Sequence, residues 1–197
     1  MLLISSIHEP HEKQEAIAES ALVRRAQQGD ATAISALYCR HAGAAYALAL
    51  RLCAQPALAE DILQDSFVRV LEGIDQFRGD APFAVWLKRT VAHLSIDALR
   101  ARKRWQFVDH ADHVSEAAVS LSTDRQLDAL GLLQRLRPQA RAVLVLYEME
   151  GLSHDELAVL FQRSPSYSKS LLSRTKRQLA LWIDESQTPP ERAGESS

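Results

Sequence analysis

The sequence predicts an all-α protein: two small helical domains joined by a flexible acidic linker, the second containing a helix-turn-helix. Three observations predict this fold class. The 197-residue chain is rich in Ala and Leu and has seven glycines, a composition that favours helix over sheet. Apolar residues in its longer segments recur at helical spacing. An acidic stretch with weak periodicity, 106–123, separates two such helical regions and reads as the linker.

The first helical domain is expected over residues 20–105. It follows a flexible tail, 1–19, which is polar and charged and has no clear apolar stripe. Breaks at Gly29, at Pro56 and across 73–82 divide the domain into about four helices.

The second helical domain is expected over residues 124–184, with breaks at Pro138 and Gly151. The remaining segment, 185–197, contains two prolines and ends in Gly and Ser, so we expect a disordered tail there.

Charge and targeting features restrict the function classes. A formal net charge of −2 argues against a protein that coats nucleic acid through bulk electrostatics, so DNA contacts must come from local basic patches. The N-terminus lacks the basic start and long apolar core of a signal peptide, and the longest apolar stretch, 42–50, is far shorter than the ~20 residues of a membrane helix. The two cysteines form no CxxC pair. We therefore expect a cytoplasmic protein without membrane insertion.

The segment 59–71 separates an apolar stripe from an acidic face. The stripe follows the spacing i, i+4, i+7, i+8 of one helix face: Leu63, Phe67, Val70 and Leu71. Another face of the same helix carries four polar residues: Glu60, Asp61, Gln64 and Asp65. Taken alone, this acidic face also fits an ordinary solvated helix surface.

The segment 81–104 combines six cations with one acidic residue, Asp97. The cations are Lys88, Arg89, Arg100, Arg102, Lys103 and Arg104, interleaved with Trp86 and followed by Trp105. Cations bind phosphate, and aromatic faces can stack on unpaired bases. A basic helix end that complements its own dipole would explain part of 100–104 but not Lys88 and Arg89, so the pattern favours nucleic-acid binding.

The segment 151–177 predicts a helix-turn-helix. Ser153 and Glu156 have the spacing of a capping box, a turn is expected at 162–163, and Ser164 followed by Pro165 begins a second, basic helix. In such motifs the second helix enters the DNA major groove, and its N-terminal residues contact base edges.

The residues of the second helix divide into an inward face and an outward face. Residues at helical spacing are expected to pack inward: Leu171 or Leu172, Thr175, Leu179, and Trp182 or Ile183. The base-edge candidates are Ser166, Tyr167, Lys169 and Ser170. The phosphate candidates are Arg174, Lys176 and Arg177.

Together these features resemble a bacterial RNA polymerase sigma factor of the two-domain extracytoplasmic-function (ECF) group. The resemblance rests on AEDILQDSF, on FRGDAPFAVWL with its basic helix, on the linker, and on LRPQARAVLVLYEMEGLSHDELA with its basic helix, and it covers about 22–183. It implies a protein that binds core RNA polymerase, directs it to promoters with minus-thirty-five and minus-ten elements, and promotes strand opening. It implies no enzyme activity, catalytic residue, cofactor or metal.

The resemblance also implies a place for each surface. The acidic face would dock on the clamp helices of the largest polymerase subunit. The region from Phe77 to Arg104 would hold the melted minus-ten strand, which adds Phe77, Arg78 and His93 to Trp86 and the cations. The linker would run toward the active-centre cleft, and the second domain would read the minus-thirty-five duplex. An anti-sigma factor is a candidate further partner.

Two positions depart from the family pattern. His93 stands where the family often has Asn in the promoter-melting helix, and it is either a DNA contact or a packing histidine. The family sequence Gly-Thr-Val-Lys-Ser-Arg is replaced at 166–171 by Ser-Tyr-Ser-Lys-Ser-Leu, so Leu171 removes an arginine that Tyr167 is a candidate to replace.

Two alternative functions each fit part of the sequence. A stand-alone helix-turn-helix transcriptional regulator would explain the second domain but not the acidic face or the first basic segment. A metal-binding or hydrolytic module could use the side chains Asp109, His110, Asp112, His113 and Glu116, but no nucleophile or phosphate-binding loop accompanies them.

Overall fold

A computed structural model of the protein describes the backbone of residues 8–101 and 125–187, with side chains over 17–101 and 130–184. The chain divides into two compact units, one ending at Arg104 and the other beginning at Trp105. Every element in the described ranges is helical, which confirms the predicted all-α fold class. The predicted linker, 106–123, lies outside the described residues, as do Arg102, Lys103 and Arg104.

The first unit has four described α-helices: α1 (His8–Gln27), α2 (Ala31–Cys53), α3 (Pro56–Glu72) and α4 (Phe83–Ala101), with a 3₁₀ turn (Ile74–Gln76). The predicted breaks are confirmed. Gly29 has a φ of 80°, a left-handed conformation that glycine adopts without a steric penalty. Pro56 begins α3 at a position where its missing N–H costs least.

Helix α1 begins earlier than the sequence indicated. Residues 8–19 are helical, whereas the sequence analysis assigned them to a flexible tail. The segment is rich in Glu, Lys, Gln and Ala, which have high helix propensity, and its Pro10 lies in the first turn, where proline is tolerated. A polar helix without an apolar stripe therefore looks like a polar tail in sequence. At the other end, the last helix continues to Gln187, past the predicted boundary at residue 184.

Helix α2 lies at the centre of the first unit and packs against α1, α3 and α4. The large core side chains come from three helices: Leu37, Leu48, Leu52, Ile62, Phe67, Val70, Leu87, Val91, Ile96 and Leu99. Each such side chain contributes about 1.5–3 kcal/mol through burial. The unit therefore presents the outward faces of α3 and α4 on a rigid bundle.

The buried sector of α3 differs from the predicted stripe. Phe67 and Val70 are buried as expected, but Leu63 and Leu71 are only half-buried and Ile62 takes their place in the core. Because α3 packs against both α2 and α4, its buried sector is wider than a single stripe and is rotated toward Ile62.

The second unit has four described α-helices: α5 (Arg125–Arg135), α6 (Pro138–Leu144), α7 (His154–Phe161) and α8 (Pro165–Gln187), with one π-helical turn (Val145–Met149) after α6. The predicted breaks at Pro138 and Gly151 are confirmed. Helix α8 packs against α6 and α7. The core side chains include Val143, Leu146, Leu157, Phe161, Leu172 and Trp182.

None of the helices in the described residues is long and apolar enough to cross a membrane. No group of three or more His, Cys, Asp or Glu side chains among them is arranged to hold a metal ion. The run from Asp109 to Glu116 lies outside the described residues.

Candidate nucleic-acid interface

The acidic face of α3 is a solvent-exposed surface. Glu60, Asp61, Gln64 and Asp65 are all exposed, and their i, i+1, i+4, i+5 spacing places them on one side of the helix. Ile62, Ser66 and Val70 occupy the opposite side in the core. No ion pair joins these carboxylates to another residue in the described part of the chain. The face is therefore available to a positively charged partner surface.

An aromatic cluster supports the loop between α3 and α4. The rings of Phe77 and Trp86 stack, with centroids 5.0 Å apart and an interplanar angle of 29°. Phe83 meets both edge-on, at 6.2 Å from Phe77 and 6.0 Å from Trp86. Trp86 also lies against Gly73, where an added Cβ would be 3.6 Å from the indole. One face of Trp86 is thus covered by Phe77, which leaves less of the indole for a base than the sequence suggested.

The basic side chains of this region have different environments. Arg78, Lys88 and Arg89 are exposed. His93 is also exposed, and its Nδ1 lies 2.9 Å from the carbonyl oxygen of Arg89, one helical turn earlier. Arg100 is half-buried and pairs with Asp97 at 3.2 Å. In the described part of this region, the exposed basic side chains besides His93 are therefore Arg78, Lys88 and Arg89, and Arg100 is half-buried beside Asp97.

The helix-turn-helix forms by the local rules that the sequence predicted. Ser153 Oγ accepts from the Glu156 N–H (3.2 Å), and the Ser153 N–H donates to Glu156 Oε2 (2.9 Å), which completes the capping box. The turn is at Gln162, which takes a left-handed φ of 54° and ends α7. Helix α8 begins at Pro165.

The described side chains of α8 show which of the predicted inward residues are buried and which DNA-contact candidates are exposed. Leu172, Thr175 and Trp182 are buried, and Ile183 is exposed. Leu171 and Leu179 are half-buried. The exposed candidates for DNA contact are Ser166, Lys169, Ser170, Arg174, Lys176 and Arg177.

On α8, the predicted DNA contacts Tyr167 and Lys176 have protein partners. Tyr167 is half-buried, and its hydroxyl donates to Gln139 Oε1 at 3.3 Å. Lys176 pairs with Glu148 at 2.6 Å, which joins α8 to the π-helical turn. A duplex that used these side chains would have to compete with those interactions.

A partly buried hydrogen bond, which the sequence did not predict, joins the two helices of the motif. His154 Nδ1 lies 2.9 Å from Ser168 Oγ, and Ser168 Oγ donates to the Pro165 carbonyl at 3.0 Å. Because a hydroxyl has one proton, Ser168 accepts from His154. The His154 ring also stacks on Tyr147 at 4.4 Å. The spacing of Ser168 from Leu172 and Thr175 continues the inward stripe, and this signal could have identified it.

In the α1–α2 turn, an ion pair and a helix cap both stabilise the carboxylate of Asp30. Asp30 caps α2, and the Arg25 guanidinium pairs with it at 2.7 Å. The pKa of the Asp30 carboxyl is lowered from its ordinary value, first by the hydrogen bond from Arg25 and then by backbone N–H groups that include Ala33. The carboxylate form is therefore the one that the turn stabilises.

The chain matches two family descriptions and several sigma factors. Residues 37–105 match the family description Sigma-70 region 2, and residues 126–179 match Sigma-70, region 4. The sigma factor NccH of Alcaligenes xylosoxydans xylosoxydans is 30% identical over 180 residues, covering 86% of this chain and 96% of NccH. The sigma factor CarQ of Myxococcus xanthus is 29% identical, covering 75% of this chain and 87% of CarQ.

A solved structure has the same fold. CnrH, in complex with the cytosolic domain of CnrY, has a TM-score of 0.54 and 26% identity, covering 85% of this chain and 98% of CnrH. A stand-alone regulator is not favoured, because it would leave the region 2 match unexplained. The chain therefore belongs to the sigma-70 family and is an ECF sigma factor, which binds core RNA polymerase and directs it to promoter DNA.

Proposed function

We propose that the acidic face of α3 is the surface that docks on the clamp helices of the largest polymerase subunit. The observation that carries this proposal is that four polar side chains lie exposed on one side of a helix whose other side is in the core. Complementary charge at such a surface guides association and orients the partners.

We assign the minus-ten strand to the loop 77–82 and the adjacent side of α4. Arg78, Lys88 and Arg89 are exposed there and supply phosphate contacts. Phe77 and Trp86 support the loop through their stacked rings, and His93 is exposed further along α4. Arg102, Lys103 and Arg104 continue this basic segment in sequence.

We assign the minus-thirty-five duplex to α8. Ser166, Lys169 and Ser170 lie exposed in the first turns, where a groove-entering helix meets base edges. Arg174 and Arg177 are exposed further along and suit phosphate. Tyr167 and Lys176 can contribute only if DNA competes with Gln139 and Glu148.

We further infer where and under what control the protein acts. As a polymerase subunit it works in the cytoplasm on promoter DNA, and it supplies specificity rather than catalysis. CnrH was solved with the cytosolic domain of CnrY, and RpoE of Bartonella quintana with the anti-sigma factor NepR. By analogy, an anti-sigma factor is a candidate partner of this chain.

The docking assignment is tested by substituting Asp61→Ala together with Asp65→Ala. Two exposed charge pairs contribute about 0.2–1 kcal/mol each, so affinity for core polymerase should fall by about twofold to thirtyfold. The matched control is Asp75→Ala with Asp155→Ala, which removes the same charge from exposed positions elsewhere. Equal affinities of the two double variants would contradict the assignment.

A further inference from the structure

Gln27, the last residue of α1, connects that helix to the loop region after α3. Its side-chain Nε2 donates to the Ile74 carbonyl at 2.9 Å and to the Phe77 carbonyl at 3.0 Å. Both amide hydrogens are therefore used, and both acceptors are backbone atoms about fifty residues away in sequence. Gln27 is itself half-buried.

The turn that follows Gln27 is held in place by its own contacts. Arg25 and Asp30 form an ion pair at 2.7 Å, and the Asp30 N–H donates to the Arg25 carbonyl at 3.1 Å. Gly29 supplies the left-handed conformation between them. The end of α1 is thus fixed relative to α2, so the Gln27 side chain extends from a defined position.

The two acceptors lie at the base of the loop. The Phe77 N–H donates to the Ile74 carbonyl at 3.1 Å, and the Phe77 ring stacks on Trp86. Immediately after Phe77, residues 78–80 are exposed, and Gly79 has a φ of 79°. The loop is therefore anchored at Phe77 on one side by Gln27 and on the other by Trp86, while its tip faces solvent.

We propose that Gln27 is a positioning residue for the reading of the minus-ten strand. This inference rests on the proposed function, in which the loop 77–82 holds that strand. Base discrimination depends on placing contact groups within about 0.5 Å of the productive geometry, and a loop without regular secondary structure needs external anchors to achieve this. Gln27 lies outside residues 37–105, which match the region 2 family.

Gln27→Glu isolates the hydrogen bonds, because it keeps the shape of the side chain. It removes both donors and brings carboxylate oxygens toward two carbonyl oxygens. Gln28→Glu is the matched control: it makes the same charge change at the adjacent, exposed position. Gln27→Met removes the donors without adding charge, and separates the loss of the hydrogen bonds from the effect of the new carboxylate.

The experiment measures binding of holoenzyme to single-stranded DNA. The probe is a non-template oligonucleotide with the minus-ten sequence of a promoter that this holoenzyme transcribes, and the comparison is the same oligonucleotide with those bases replaced. The wild type should prefer the first. In Gln27→Glu and Gln27→Met the ratio of the two affinities should fall by up to about thirtyfold, the limit set by the loss of two hydrogen bonds, and Gln28→Glu should keep the wild-type ratio.

Each outcome discriminates. If the wild type shows no preference, the assignment of the loop to the minus-ten strand fails. If the wild type discriminates and both Gln27 variants keep its ratio, the positioning role is overturned, even when their overall affinity falls. It is also overturned if neither variant binds core polymerase while Gln28→Glu does, since Gln27 would then be needed for the fold rather than for the loop.

Discussion

The hydrogen bond between His154 and Ser168 should set the stability of the helix-turn-helix. We expect Ser168→Ala to destabilise the packing of α8 against α7, although it removes a single oxygen. Ser168 is 1% exposed, and its hydroxyl both accepts from His154 and donates to the Pro165 carbonyl.

The size of the effect follows from these contacts. Two neutral hydrogen bonds contribute about 1 kcal/mol each, so their loss costs about 2 kcal/mol. Alanine has a higher helix propensity than serine, which offsets about 0.5 kcal/mol. The net loss is about 1.5 kcal/mol, roughly a tenfold increase in the population of the locally open state.

Hydrogen exchange of the full-length protein measures this directly. Amides of α7 and α8 should exchange about tenfold faster in Ser168→Ala, with no change in α2 of the other unit. Ser170→Ala is the control, because Ser170 is exposed on the same helix and its substitution changes only the helix propensity. A double-mutant cycle with His154→Ala should give a coupling of about 0.5–1.5 kcal/mol. If Ser168→Ala and Ser170→Ala exchange at the same rates, the reasoning is refuted.

Three further predictions concern DNA contacts and pH. Lys169→Ala should weaken holoenzyme binding to the preferred minus-thirty-five element by about 1–3 kcal/mol relative to substituted DNA, whereas Arg174→Ala should weaken both equally. Glu148→Gln should release Lys176 from its ion pair, so the slope of log affinity against log salt should steepen by about one. Asp30→Asn removes a carboxylate whose pKa is lowered. Above about pH 4 this variant should be less stable than the wild type by the full contribution of the carboxylate. The difference in unfolding free energy should vanish as the pH falls through the folded pKa of Asp30.

Each of these three predictions has a control variant or an outcome that would contradict it. Identical behaviour of Lys169→Ala and Arg174→Ala would contradict the division between base-edge and phosphate contacts. Asp155→Asn removes an exposed acidic charge from α7 and should leave the salt slope unchanged. A stability difference for Asp30→Asn that did not shrink as the pH was lowered below about 4 would mean that its carboxylate charge is not the cause.

Local features of this protein were predictable because neighbouring residues in sequence determine them. The capping box of Ser153 and Glu156, the turn at Gln162 and the start of α8 at Pro165 all follow from contacts within a few residues. The exposure of the acidic face was predictable because charged and amide side chains are rarely buried without a partner. Helical periodicity alone did not define this face, since the exposed Val68 lies on the same side of α3 and Leu71 of the predicted stripe is only half-buried.

Features that depend on distant residues were not predictable. Tyr167 and Lys176 look like DNA contacts in sequence, but Gln139 and Glu148 reach them from an earlier part of the second unit. The start of α1 was missed because helix propensity without an apolar stripe leaves no periodic signal.

The sequence by itself determined the helical class, the two-unit order, the helix-turn-helix and the family of this protein. These depend on periodicity, on helix caps and on the order of motifs along the chain, all of which can be read directly from the sequence. Only the tertiary structure decided which cations remain exposed, how Trp86 is covered and which residue anchors the loop. Gln27 and Phe77 are far apart in sequence, and nothing in the local pattern of either encodes their contact, because packing of the helices brings them together.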